Sequence, residues 1–275
     1  MLRDWIYNHP TLEVATIIVA LSVIVSWIGL LVFDRFVHVS IRSRHNDVAG
    51  FIIAIIGVVY AVLLAFIAVA AWANFDSANR VVQQEANLVD NLYRDAIAIP
   101  DPTRTEMRDD IKQYLNVVIE KEWPAQREHR TETAGWVPVE KLQGAVASLD
   151  PKTLGQSVVE AEMLKTLNDL YSARRTRLLA AADGIPNTIW WILVLGGVIT
   201  VAFSFFFGMP SMAMHYAMTG TLAASLALVM VLIVALDWPF RGQVSISPEA
   251  YETVLQDIAQ QQQQPAVPAP APARQ

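Results

Sequence analysis

Residues 48–75, VAGFIIAIIGVVYAVLLAFIAVAAWANF, contain no Asp, Glu, Lys, Arg or His, and this stretch decides the fold. A helix rises 1.5 Å per residue, so about 20 apolar residues cross the roughly 30 Å of hydrocarbon in a bilayer. Working outward, three further windows reach that length: residues 14–33 before it, and 189–207 and 212–236 after it. Gly208, Met209, Pro210 and Ser211 separate the last two windows and predict a helical hairpin. The first window is too long for a secretion signal and no small-residue cleavage site follows it, so it is expected to be retained as a span.

Composition agrees with a membrane class. The chain is 54% hydrophobic and 17% charged, with a mean hydropathy of +0.36. The net charge is -6 and no polybasic run adjoins a nucleic-acid motif, so a phosphate backbone is not an expected partner. The absence of cysteine removes disulfides, thiolate chemistry and Cys-type zinc sites together.

Four crossings put both termini and the segment between the second and third spans on one side of the membrane. Near the span ends, Arg3, Arg80, Arg174, Arg175, Arg177 and Arg241 fall on that side, against Arg35, Arg42 and Arg44 on the other. The excess leans towards a cytoplasmic location for the inserted domain.

That domain has helical periodicity throughout. Val81, Val82, Ala86, Val89, Tyr93 and Ile97 keep a helical spacing, with no Gly or Pro between Val58 and Pro100, so the second span is expected to run on as one rod. Asp101 and Pro102 form an expected N-cap and first helical residue. Met107, Ile111, Leu115, Val118 and Ile119 then make one stripe up to a break at Trp123 and Pro124. A further long helix carries Val159, Met163, Leu167, Leu170, Tyr171 and Leu178 and stops at Gly184 and Pro186. After the last span, Ser247, Pro248 and Glu249 start a short helix whose apolar face is Tyr251, Leu255 and Ile258. The Gln/Pro/Ala tail lacks the apolar mass to offset ordering entropy and is expected to be disordered.

The expected fold class is therefore an all-α membrane protein, with four transmembrane helices and a helical cytoplasmic domain inserted between the second and third spans. Its parts are residues 1–73, the first transmembrane pair; 74–187, the helical domain continuous with the second span; 188–236, the second hairpin; 237–259, a post-membrane segment and short helix; and 260–275, the tail.

No catalytic constellation, cofactor motif or metal-ligand spacing is present, and His9, His38, His45, His129 and His215 are scattered as surface or interface histidines would be. The four windows contain no Asp, Glu, Lys or Arg, which argues against a proton relay or voltage sensor. In the second span, Ile55, Val59, Val62, Phe66, Val69, Ala70, Ala73, Ser77, Arg80 and Gln84 fall along one broad face. Two readings of that face stand: packing against the other three spans, or the lining of a greasy neck in a ring of copies.

Several stretches carry a resemblance. Residues 45–51 (HNDVAGF), residues 57–66 (GVVYAVLLAF), Glu85 and Ala86 with Leu92, Tyr93 and Arg94, and then Gly184, Ile185 and Pro186, resemble the bestrophin-like family of bacterial membrane proteins over roughly residues 40–250. The chain is similar, more distantly, to bestrophin ion channels, whose second transmembrane helix carries three bulky apolar residues spaced by four at the pore neck. On this sequence that pattern falls on Val58, Val62 and Phe66. Asp237, Trp238, Pro239, Phe240, Arg241 and Gly242 resemble the Asn-Pro-Phe-Gly that follows the last span in animal bestrophins.

The resemblance implies a passive ion channel in a cell membrane, a bacterial inner membrane in particular, and not an enzyme. Its partners would be the lipid bilayer, inorganic ions and its own copies in a pentameric ring. Asp47 would stand at the outer mouth, favouring cations, and Arg80 near the inner end of the neck, favouring anions. The acidic cluster that clasps calcium in calcium-activated bestrophins is replaced by Gln243, Val244, Ser245, Ile246 and Ser247, so neither a metal site nor calcium gating is expected. Val58 is smaller than the residues usual at the first neck position, which implies a wider or shifted constriction. A second hypothesis from another class is a non-conducting scaffold or sensor whose helical domain docks a partner.

Overall fold

A computed structural model describes residues 2–263, and among them every regular element is helical. In chain order these are α1 (Leu2–Asn8), α2 (Thr11–Phe36), α3 (Val39–Arg42), α4 (Asn46–Asp95), α5 (Thr103–Val117), α6 (Trp123–Arg127), α7 (Trp136–Ala147), α8 (Leu154–Ala182), α9 (Asn187–Ser204), α10 (Met212–Asp237) and α11 (Glu249–Gln263). Two compact units are formed, one from residues up to Ala78 together with Asp183–Ile246, the other from Asn79–Ala182 together with the chain from Ser247.

Four helices of the described residues are long and apolar enough to cross a membrane: α2, α4, α9 and α10. Within the first unit α2 packs along α10, where Trp27 Nε1–H donates to the Tyr216 carbonyl at 2.9 Å. Gly220 makes this approach possible, since a Cβ there would stand 2.8 Å from the indole nitrogen. The turn between α9 and α10 is fastened at both ends. His215 is buried with its Nε2 3.1 Å from the Ser204 carbonyl, and Asn46 bonds Gly208 twice, Nδ2–H to carbonyl at 3.0 Å and backbone N–H to Oδ1 at 2.9 Å. Gly208 is obligatory there, because a Cβ would lie 2.2 Å from the Ser43 backbone nitrogen. His215 is thus an interior residue rather than a surface one.

α4 runs for 50 residues without a break. In the second unit, several expected boundaries move. α5 begins at Thr103, with Pro102 at the cap position and no side-chain cap bond; the Asp101 carboxylate instead takes the Thr105 hydroxyl at 2.9 Å and the Arg104 guanidinium. A charge-assisted bond to a neighbouring guanidinium is the stronger competitor for that carboxylate. The expected break at Trp123 and Pro124 is not a stop. Pro124 sits in the first turn of α6, where its missing N–H is tolerated, and a π turn, Val118–Glu122, joins α5 to α6.

α7 has no counterpart among the helices expected from the sequence, because its Pro138 and Gly144 weaken helical propensity. Tertiary packing overrides them: Val139, Leu142 and Val146 are buried, and α7 lies against α5 and α8. α11 continues to Gln263, past the boundary expected at 259, since glutamine is a good helix former. The disorder expected for the Pro/Ala-rich stretch falls outside the described residues.

Candidate functional site

The rotational setting of α4 is fixed by Tyr60. Its hydroxyl donates to the Leu193 carbonyl at 2.6 Å, and its ring lies on Gly196 and Gly197 of α9, where a Cβ at position 196 would come within 2.5 Å of Cε2. Leu64 is buried on the same side, and Tyr60, Leu64, Leu193 and Ile233 form a core cluster with Ile67 and Ala68 packed against it. Buried Ala71 continues this inward face.

At about 100° per residue, Val62 lies about 200° round the helix from Tyr60. The consequence is direct. Val58 (64% exposed), Val62 (49%) and Phe66 (72%) look away from α9 and α10, and Phe51, Ile55 and Val69 are exposed with them. The expected alternative, that this face packs against the other spans of the same chain, is not what the chain does. Asp47 is exposed in the first turn of α4, and Arg80 is exposed further along it.

The stretch after α10 is a buried joint. Trp238, Pro239, Phe240 and Arg241 are all buried, and the Asp237 carboxylate accepts the Ile185 backbone N–H at 2.5 Å. Gly184 lies against the Trp238 ring, which a Cβ would approach to 2.9 Å. Gly242 has φ +81, a left-handed conformation suited to glycine, and the Arg241 guanidinium lies 5.2 Å from the Tyr7 ring. Gly184 to Pro186 and Asp237 to Gly242, far apart in sequence, therefore meet to set the entry of α9 and the exit of α10.

The second unit holds a feature that sequence reasoning missed. Arg174 and Arg177, one turn apart on α8, are fully buried with Glu85 of α4 and Glu122 at the end of the π turn. Arg174 pairs bidentately with Glu122, Nη2 to Oε1 at 2.5 Å and Nη1 to Oε2 at 2.9 Å. Arg177 reaches Glu85 Oε2 through Nε at 2.8 Å and Glu122 Oε2 through Nη2 at 2.8 Å. Tyr114 donates its hydroxyl to Glu85, and the Gly135 N–H donates to Glu122 Oε1 at 3.0 Å.

Aromatic rings close the cluster: Trp136 lies 4.5 Å from the Arg174 guanidinium, and Trp123, in edge contact with Tyr251 of α11, lies 5.7 Å from that of Arg177. Burial by itself would raise the Glu122 carboxyl, but the bonds and charges of Arg174 and Arg177 outweigh it and hold the group below its ordinary range. Burial and the nearby Glu85 charge push the Tyr114 and Tyr251 hydroxyls well up, so both stay protonated. Two guanidinium and two carboxylate groups cancel, and each carboxylate is occupied by strong donors. Such a cluster fixes helices and offers no free base or nucleophile. Its sequence signal is the pair of arginines three residues apart on a helix, which in one dimension looks the same as charges flanking a membrane.

A family model described as Bestrophin-like domain matches residues 20–251. Among curated protein sequences, none matches the chain. The chain is similar in fold to crystal structures of a bacterial bestrophin homologue from Klebsiella pneumoniae. One variant aligns with TM-score 0.69 and 11% identity over 90% of this chain and 99% of that one, and a second with TM-score 0.67 and 13% identity over 93% and 99%. A further crystal structure, of a membrane protein variant, aligns with TM-score 0.66 and 13% identity over 91% and 99%.

Proposed function

The chain belongs to the Bestrophin-like family, and from that premise we propose that it is a passive ion channel: a ring of identical chains, a pentamer by resemblance to bestrophins, around a pore lined by α4. The observation that carries the reading is the outward setting of Val58, Val62 and Phe66, whose helix is held from behind by Tyr60. A face so apolar and so exposed has two surroundings at membrane depth, lipid or other copies of itself. In a closed ring it forms a neck that resists ions by excluding water, with no charge needed.

In this proposal α2, α4, α9 and α10 each cross the cell membrane, and residues 74–187 lie on the cytoplasmic side. Burial weakens the arginine argument for that side, since Arg174, Arg177 and Arg241 on one side and Arg42 on the other are interior residues rather than interfacial charges. Asp47 stands at the outer mouth and Arg80 at the inner end of the neck. Calcium does not gate the pore, because Gln243 to Ser247 carry no carboxylate.

The test joins stoichiometry to flux. The purified protein is expected to be a closed ring by native mass spectrometry, to pass ions in liposomes, and to be indifferent to micromolar calcium. Phe66→Ala is expected to keep the ring and to raise flux or abolish its gating. A monomer or two-fold dimer, or absence of flux under every ionic condition, would overturn the channel and favour a non-conducting scaffold whose helical domain docks a partner.

A further inference from the structure

Within the first unit α2 and α10 pack along each other, but α9 does not close fully on that pair. They leave a cavity of about 470 Å³, roughly three times the volume of an engineered apolar cavity that admits benzene. Small side chains from all three helices turn towards the space: Ser22 and Ser26 from α2, Ala202 from α9, Ala223 and Ala227 from α10. Small residues on membrane helices usually let backbones meet. On these three helices the space they leave is not taken up.

The lining states the chemistry of the occupant. Its three side-chain hydroxyls are already committed: Ser22 to the Ile18 carbonyl at 2.8 Å, Ser26 to the Val23 carbonyl at 2.7 Å and Tyr60 to the Leu193 carbonyl at 2.6 Å. With those hydrogens spent on carbonyls and every other lining side chain apolar, no lining side chain has a donor left for a polar ligand, and so apolar a space does not hold water. The cavity is also long. Its lining runs from Ile18 to Gly29 on α2 and from Leu193 on α9 to Phe205 just past its end, about 16 to 18 Å at 1.5 Å per residue. That is close to the roughly 15 Å depth of hydrocarbon in one leaflet. Val25, Val194 and Val198 at its edge are exposed, so its mouth opens on an apolar surface.

We propose that this cavity holds a single acyl chain lying along the helices, inserted sideways from the bilayer, with Phe205 packed on Gly29 at one end. The inference rests on the membrane placement of these helices and is independent of conduction. The chain's source is a bilayer phospholipid or a free fatty acid, which share this chemistry.

The test uses the full chain in liposomes containing a phospholipid with a photoreactive group midway along one acyl chain, with labelled residues located by mass spectrometry. Ala223 and Ala227 are expected to be labelled in the wild type and to lose at least fivefold of that label in Ala202→Phe and in Ser22→Phe, two fillings made from opposite walls. Label on the outer residues Leu31, Trp191 and Leu232 is expected to stay constant. Outer label with none at Ala223 and Ala227 in the wild type would overturn the site, as would cavity label untouched by both fillings. Absence of label on the outer residues would instead remove the membrane placement, and the inference with it. Cavity label that survives excess unlabelled oleate assigns the chain to a phospholipid, and label displaced by oleate assigns it to a free fatty acid.

Discussion

Glu122 shows how much one side chain can hold. It terminates the π turn, accepts from both buried arginines and from the Gly135 N–H, and is inaccessible to solvent. Removing one partner from such a cluster leaves an uncompensated buried charge, which costs about 3 to 5 kcal/mol. Glu122→Gln is accordingly expected to lower the melting temperature of the protein sharply while preserving helix content below the transition. The pH dependence follows from the sign of the shift. The folded carboxyl titrates below its ordinary value of 4.5, so the unfolded chain takes up the proton first as pH falls. The stability from this group is complete above about 4.5 and is lost as pH falls through the lower folded value. A chemical denaturation series between pH 7 and 3 should therefore decline more steeply for the wild type than for Glu122→Gln, and parallel curves would remove Glu122 from the account.

At the scale of elements, α4 is set by what lies behind it. Tyr60 fills the notch above Gly196 and Gly197, whereas Gly57 faces open space, where an added Cβ would meet nothing within 4 Å. A side chain at position 196 would push the Tyr60 ring away and turn the outward face of α4. Gly196→Val is expected to disturb ring assembly and flux as severely as it lowers thermal stability, while Tyr60→Phe, which loses one hydroxyl bond but keeps the ring, should cost only about 0.5 to 1.5 kcal/mol. Size-exclusion profiles and liposome flux of the two variants check this, and equal behaviour would show that the notch does not set the helix.

For the whole molecule, the proposed cytoplasmic placement of the second unit is open to a direct test. The chain has no native cysteine, so single probes report cleanly. Ser43 and Ser157 are both exposed. With a cytoplasmic second unit, Ser43→Cys in intact cells should react with a membrane-impermeant reagent and Ser157→Cys should not. The reverse pattern would invert the topology.

The sequence by itself determined the helical class, the four apolar helices and the unbroken run of α4, because chain length, absence of charge and the spacing of apolar residues are local properties that any helix must express. The family resemblance was also legible, in short motifs such as residues 45–51 and Asp237 to Gly242. Only the tertiary structure decided what those residues meet. Asn46 bonds Gly208, Asp237 bonds Ile185, and Arg174 and Arg177 are interior ions rather than flanking charges, because partners more than 50 residues away satisfy them. The boundaries of α5 and the presence of α7 were likewise settled by competing partners and by packing, which local propensity does not contain. The outward setting of Val58, Val62 and Phe66 belongs to the same kind: periodicity places them on one face, but only the notch at Gly196 and Gly197, filled by Tyr60, says which way that face turns.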